Sequence, residues 1–214
     1  MPDGPRFVWL DGGLRPAGEA SVSVFDRGLT LGDGAFETLR ARGGRAVELA
    51  EHLARLRGSA RTLRIELPDD VEVTIGGAIE TILSAEHLDG AEGDAAVRVT
   101  VTRGATARRG LLPSTANGAT ATATVIVQAW PHEPPAHELL ARGLRLALAT
   151  ARRDPLDPLA AAKTTSRAQH MHARLAAEDQ SATTRCSSPP TCSSARPHRP
   201  TSSWCAAESS RPLR

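Results

Sequence analysis

Cysteine is missing from the first 180 residues; all three, Cys186, Cys192 and Cys205, lie in the last 34. A disulfide scaffold, a cysteine nucleophile and a cysteine zinc site are therefore excluded from the body of the chain. Lysine is scarcer still. Of 26 basic side chains, 25 are arginine and one, Lys163, is lysine. A GC-rich coding bias explains arginine wherever a positive charge is enough, but not the one position left as lysine. A lysine amine forms a Schiff base once deprotonated, whereas a guanidinium stays protonated. The bland alternative is a surface charge that survived by chance. No apolar run approaches the length of a membrane span, and the Met-Pro-Asp-Gly-Pro start has no apolar stretch behind a basic one. The expectation is a soluble, cytoplasmic protein with no membrane partner.

What charge there is lies unevenly. Residues 181–214 hold five arginines and one acid, Glu208, a charge of +4; with +2 for the whole chain, residues 1–180 carry −2. That balance gives the body no nucleic-acid footprint. His170 and His172 share no helix face, and no metal site is expected.

Periodicity sketches the elements. Residues 6–11 alternate as a strand, with Gly12-Gly13 as a hairpin signal, and residues 21–24 form a second short strand. A glycine-punctuated loop over 25–34 runs into a strand at 35–40, which Gly43-Gly44 turns back through 45–47. Leu49, Leu53, Leu56, Ala60 and Leu63 make a helical stripe that ends by Pro68, and Val71, Ile75, Ile79 and Ile82 make another despite Gly76-Gly77. Residues 96–102 and 122–128 read as strands. The proline-rich stretch at 130–136 reads as an interdomain linker. A strand at 144–150 and a helix starting near Ser166 follow. The pattern is α+β, in two domains: a small one over 1–129 and the start of a larger one over 137–180.

Three stretches carry chemistry: FDRGLTLGDGAFETLR at 25–40, EHLARLRGSA at 51–60 and AKTTS at 162–166. In this order and spacing they resemble the class IV aminotransferases, the fold type IV pyridoxal-phosphate enzymes. The Phe-Glu-Thr ending of the first stretch is more similar to aminodeoxychorismate lyases and D-amino-acid transaminases than to branched-chain aminotransferases. The resemblance covers roughly residues 7–180. It implies that Lys163 is the Schiff-base lysine and the proton shuttle at the substrate Cα, and that Arg55 is a ligand of the cofactor phosphate. A forked guanidinium suits a phosphate dianion. Without the family, Arg55 reads as one half of an exposed i,i+4 pair with Glu51. Arg98, Arg108 and Arg109 are candidates for a substrate carboxylate, against a solvated face or loop. The implied cofactor is pyridoxal 5′-phosphate, and the implied partners are an amino-acid or aminodeoxychorismate-like substrate and a second copy in a homodimer. The residues leave transamination and lyase elimination both open.

The resemblance stops after Gln180. Of the last 34 residues, 26 are Ser, Pro, Thr, Arg or Cys, and Leu213 is the one aliphatic residue larger than alanine. No core is expected there, and the segment is expected to be disordered. The family needs further strands, a carboxylate for the pyridinium nitrogen and phosphate-binding amides at this point. Reading GC-rich codons for this segment one nucleotide earlier turns Cys186-Ser187-Ser188, Cys192-Ser193-Ser194 and the stretch from Ser202 to Cys205 into apolar runs. Between them a Gly-Glu-Ala-Thr segment emerges. The expectation is a frameshift near residues 179–182 and an impaired, C-terminally truncated enzyme. The alternatives are a non-catalytic remnant and a nucleic-acid-binding protein acting through its basic tail.

Overall fold

The computed structural model describes residues 4–106, 110–113, 121–148, 154, 156–179 and 184–186. The chain divides into two compact units, one of Met1–His132 with Ala161–Ser166, the other of Glu133–Ala160 with Arg167–Arg214.

The first unit is a six-stranded antiparallel sheet backed by helices. Its strands are β1 (Phe7–Leu10), β2 (Gly13–Pro16), β3 (Gly34–Arg42), β4 (Arg45–Ala46), β5 (Asp94–Thr102) and β6 (Thr124–Pro131), in the order β2-β1-β6-β5-β3-β4. Alternation sets the register. Ala95, Val97, Val99 and Val101 of β5 stand opposite Ala41, Leu39, Glu37 and Ala35 of β3 and opposite Pro131, Ala129, Val127 and Val125 of β6. Helices α2 (Leu49–Thr62) and α3 (Val71–Ala85) supply the rest of the core. α3 runs unbroken through Gly76-Gly77 because Val71, Ile75, Ala78, Ile79, Ile82 and Leu83 are buried. That burial outweighs the helix cost of two glycines, roughly 1 kcal/mol each.

Three expectations need correction. The first hairpin turns at Asp11-Gly12, both at positive φ, as a two-residue turn matching strand twist requires. Gly13 is already the first residue of β2, so β2 fills the place beside β1 and residues 21–24 form no strand. Both of their valines face solvent. The loop over 25–34 contains a short helix, α1 (Arg27–Leu31), capped by the Asp26 side chain and closed by Gly32 at φ 65°. β6 runs on to Pro131, two residues into the stretch read as a linker, and Pro131 sits at the end of the ladder, where a missing N–H costs least.

The second unit holds α4 (His137–Arg142), β7 (Leu146–Leu148), a 3-10 turn at Pro158–Ala161, α5 (Ala168–Glu178) and β8 (Thr184–Cys186). β7 and β8 pair in parallel, with α5 in the crossover between them. β8 falls within the segment expected to carry no order. A backbone ladder needs extended residues rather than large apolar ones, which is how a Thr-Arg-Cys run forms it.

Candidate active site

The loop ahead of β3 is built around Asp33. Its carboxylate accepts from Arg27 Nε at 2.8 Å and from Arg103 Nε at 2.7 Å, and both arginines are buried. Arg103 also donates to the carbonyls of Leu63 and Arg64 at the C-terminal end of α2, and Arg27 to those of Gly110 and Leu111. Burial pushes the Asp33 carboxyl up, but the hydrogen bonds and charges of the two arginines outweigh it and hold the group below its ordinary range. Gly34 follows. A Cβ there would stand 2.7 Å from the Val101 carbonyl and 3.0 Å from Thr165 Oγ1.

That close approach admits a second segment. The edge of β3 not covered by β4 receives residues 163–165: Phe36 N–H donates to the Lys163 carbonyl at 3.0 Å, Thr165 N–H to the Gly34 carbonyl at 2.8 Å, and Ala35 bridges Thr164. The Lys163 N–H donates to Ser59 Oγ on α2 at 3.0 Å. Lys163 is thus carried by the first unit, although the chain reaches it after passing through the second.

The lysine side chain ends beside a buried carboxylate. Lys163 Nζ lies 3.6 Å from Glu37 Oε2, and Glu37 is 0% exposed. Arg55 donates to both Glu37 oxygens, Nε to Oε1 at 2.7 Å and Nη2 to Oε2 at 2.6 Å. His52 Nδ1 stands 2.9 Å from Oε2. A carboxylate so buried calls for a donor, so Nδ1 carries the proton; its 3.0 Å approach to Arg55 Nη2 is then a contact between two donors. Burial alone would raise the Glu37 carboxyl. Hydrogen bonds from Arg55 and His52, with the charges of Lys163 and Arg55, hold it below its ordinary range instead. Phe36, a buried residue of β3 itself, has the Arg98 guanidinium 3.9 Å and Lys163 Nζ 5.0 Å from its ring centroid.

Three of the five candidate residues, Lys163, Arg55 and Arg98, therefore gather along the first half of β3. Arg108 and Arg109 lie outside the described residues. The i,i+4 partner considered for Arg55, Glu51, is not its partner; Glu37 is. Glu37, His52 and Ser59 stand in the motifs without an expected role. Their signals were present: Glu37 shares the inward face of β3 with Leu39 and Ala41, and His52, Arg55 and Ser59, spaced three and four apart, share one face of α2. Among the described residues no cluster of His, Cys, Asp or Glu could hold a metal ion, and no helix is long and apolar enough to cross a membrane.

Comparison with known proteins points one way. A putative branched-chain-amino-acid aminotransferase of Methanocaldococcus jannaschii is 42% identical over 97 residues, covering 45% of this chain and 32% of that protein. The 4-amino-4-deoxychorismate lyase of Pseudomonas aeruginosa is 33% identical, with a TM-score of 0.61 over 78% of this chain and 56% of that one. The PLP-bound form of a hypothetical aminotransferase from Mycobacterium tuberculosis shares the fold with a TM-score of 0.66 at 24% identity, over 86% of this chain and 62% of that one. The matched region spans between 20% and 36% of the length of the curated relatives, and about three fifths of these solved structures. The sequence model of the amino-transferase class IV family matches residues 34–184, which takes in β3, the Glu37 cluster and Lys163. The chain belongs to the class IV aminotransferase family.

Proposed function

We propose that this chain carries the lysine half of a pyridoxal-phosphate site serving amino-group chemistry on an amino-acid-like substrate. The observation that carries the reading is that the sole lysine of the chain ends 3.6 Å from a buried carboxylate that also orients Arg55. The donor set suits the cofactor. A pyridoxal phosphate presents an aldehyde and a phosphate dianion, which call for one amine and at least one guanidinium. Arg55 uses Nε and Nη2 on Glu37 and is 51% exposed, so its outer face is open to a phosphate oxygen.

When bound, the cofactor supplies an electron sink for the charge left at the substrate Cα. The residues of this chain do the rest. Lys163 provides the amine that holds the aldehyde carbon and then moves a proton at the substrate Cα. Arg55 holds phosphate, and Glu37 holds Arg55 in one plane, so that the phosphate meets a guanidinium already fixed in direction. Arg98, whose guanidinium lies over the Phe36 ring, is the residue we assign to a substrate carboxylate. A homodimer and a cytoplasmic setting fit the family reading. The relatives include aminotransferases and a 4-amino-4-deoxychorismate lyase, so transamination and lyase elimination both stay open. The test is a titration of the purified chain with pyridoxal 5′-phosphate. A saturable visible absorbance band, lost in Lys163→Ala, is expected; a chain that binds no cofactor above background contradicts the reading.

A further inference from the structure

We propose that Ser59 is a positioning residue for Lys163, fixing the lysine main chain to the helix that also carries the phosphate-site arginine. The inference rests on Lys163 being the cofactor lysine, as proposed above. The Lys163 residue is pinned at both of its backbone polar groups and by two different elements. Its N–H donates to Ser59 Oγ of α2 at 3.0 Å, and its carbonyl accepts from Phe36 N–H of β3 at 3.0 Å. Ser59 is 3% exposed, so water does not compete freely for its hydroxyl. Thr165, two residues on, repeats the arrangement with Oγ1 on the Gly32 carbonyl at 2.8 Å and N–H on that of Gly34.

The consequence is geometric. On α2, Arg55 and Ser59 are four residues apart, one turn along the same face. Arg55 is locked to Glu37, and Ser59 is locked to the Lys163 main chain. One rigid helix therefore sets the distance between the guanidinium and the lysine Cα. A cofactor spanning the two, phosphate at one end and aldehyde at the other, meets a spacing fixed before it arrives. Without the Ser59 oxygen, the phosphate end stays where it was while the amine end loses one of its two anchors.

The experiment uses the full chain with Ser59→Ala and Ser59→Thr beside the unsubstituted protein, and takes two measurements. The first is amide hydrogen exchange at Lys163 without cofactor. The second is the rate at which Lys163 is fixed by pyridoxal 5′-phosphate and borohydride, followed over a range of cofactor concentrations. In that reaction the amine nitrogen adds to the aldehyde carbon, water leaves, and the resulting C=N bond takes hydride from borohydride at carbon and a proton from solvent at nitrogen, giving a secondary amine. Losing one hydrogen bond to a half-buried N–H is expected to speed Lys163 exchange and to slow fixation at saturation, each by about tenfold, in Ser59→Ala. The half-saturating concentration should stay within about twofold, because Arg55 is untouched. Ser59→Thr keeps the oxygen and should restore both readings. A general loss of packing would shift half-saturation as well and would not be rescued by threonine; that pattern overturns the proposal. So does a Lys163 amide that exchanges at an unprotected rate in the unsubstituted chain, which needs no variant to be seen. Failure of the unsubstituted chain to be fixed at all counts against the cofactor reading, and amide exchange alone then decides the Ser59 anchor.

Discussion

Asp33 sits between two buried guanidinium groups, and its removal strands both of them. Asp33→Asn is expected to cost about 3–5 kcal/mol, since breaking a buried ion pair leaves uncompensated charge, here on Arg27 and Arg103. Urea unfolding against the unsubstituted chain measures it, and an unchanged midpoint would show that solvent reaches the arginines. Glu37 and Asp33 also govern the response to acid. Both carboxyls lie below their ordinary values of 4.5 and 3.8, so the folded state binds fewer protons than the unfolded one in that range. Their contribution is complete above the ordinary values and is lost as pH falls through the lower folded ones. Melting temperature should therefore drop steeply below about pH 4, and Glu37→Gln should flatten that acid limb while lowering stability at neutral pH. A Glu37→Gln profile parallel to that of the unsubstituted chain would contradict the assignment. Lys163 was legible in the sequence because it is the one lysine, and Arg55 because of its motif. Glu37 was legible only as an acid on an apolar strand face; that His52, Arg55 and Lys163 converge on it depends on contacts between segments far apart in the chain.

The elements with strong periods were the easiest to read. The 4-3-4-3 stripe of α2 and the alternation of β5 report burial directly, because one face of each packs against the same core. Leu56, 1% exposed on α2, is expected to cost about 2–5 kcal/mol when changed to alanine, read by denaturant unfolding. A loss under about 1 kcal/mol would place α2 outside the core. What could not be read is the pairing of residues 163–165 with β3. One short segment with a single bridge has no period, and its place is set by hydrogen bonds to Gly34, Phe36 and Ser59. α1 is also too short for a period, and depends on the Asp26 cap and the tight approach of Gly28 to Thr102. A Cβ on Gly28 would stand 2.2 Å from Thr102 Cγ2, so Gly28→Ala should lower the melting temperature although the residue is only half-buried. An unchanged melting temperature would show that α1 shifts freely.

For the whole molecule, the family was accessible from three motifs, while the reading of the end of the chain rests on the genetic code alone. Residues 187–214 lie outside the described residues, so the frameshift stands as a proposal on composition and codon logic. Restoring the frame at codons 179–182 and extending to the next stop is expected to raise cofactor affinity and turnover together, in one assay with several amino acids and aminodeoxychorismate. Equal turnover from the restored and the written chain would remove that account. The uniqueness of Lys163 makes its role as the cofactor lysine directly testable. The full chain, loaded with pyridoxal 5′-phosphate, is reduced with borohydride and digested, and the labelled peptide is identified by mass. With one side-chain amine in 214 residues, the α-amino terminus is the sole competitor. Label is expected on Lys163, lost in Lys163→Ala and reduced in Arg55→Ala, where the proposed phosphate contact is removed. Label at the amino terminus alone, with Lys163 unmodified, would contradict its role as the cofactor lysine.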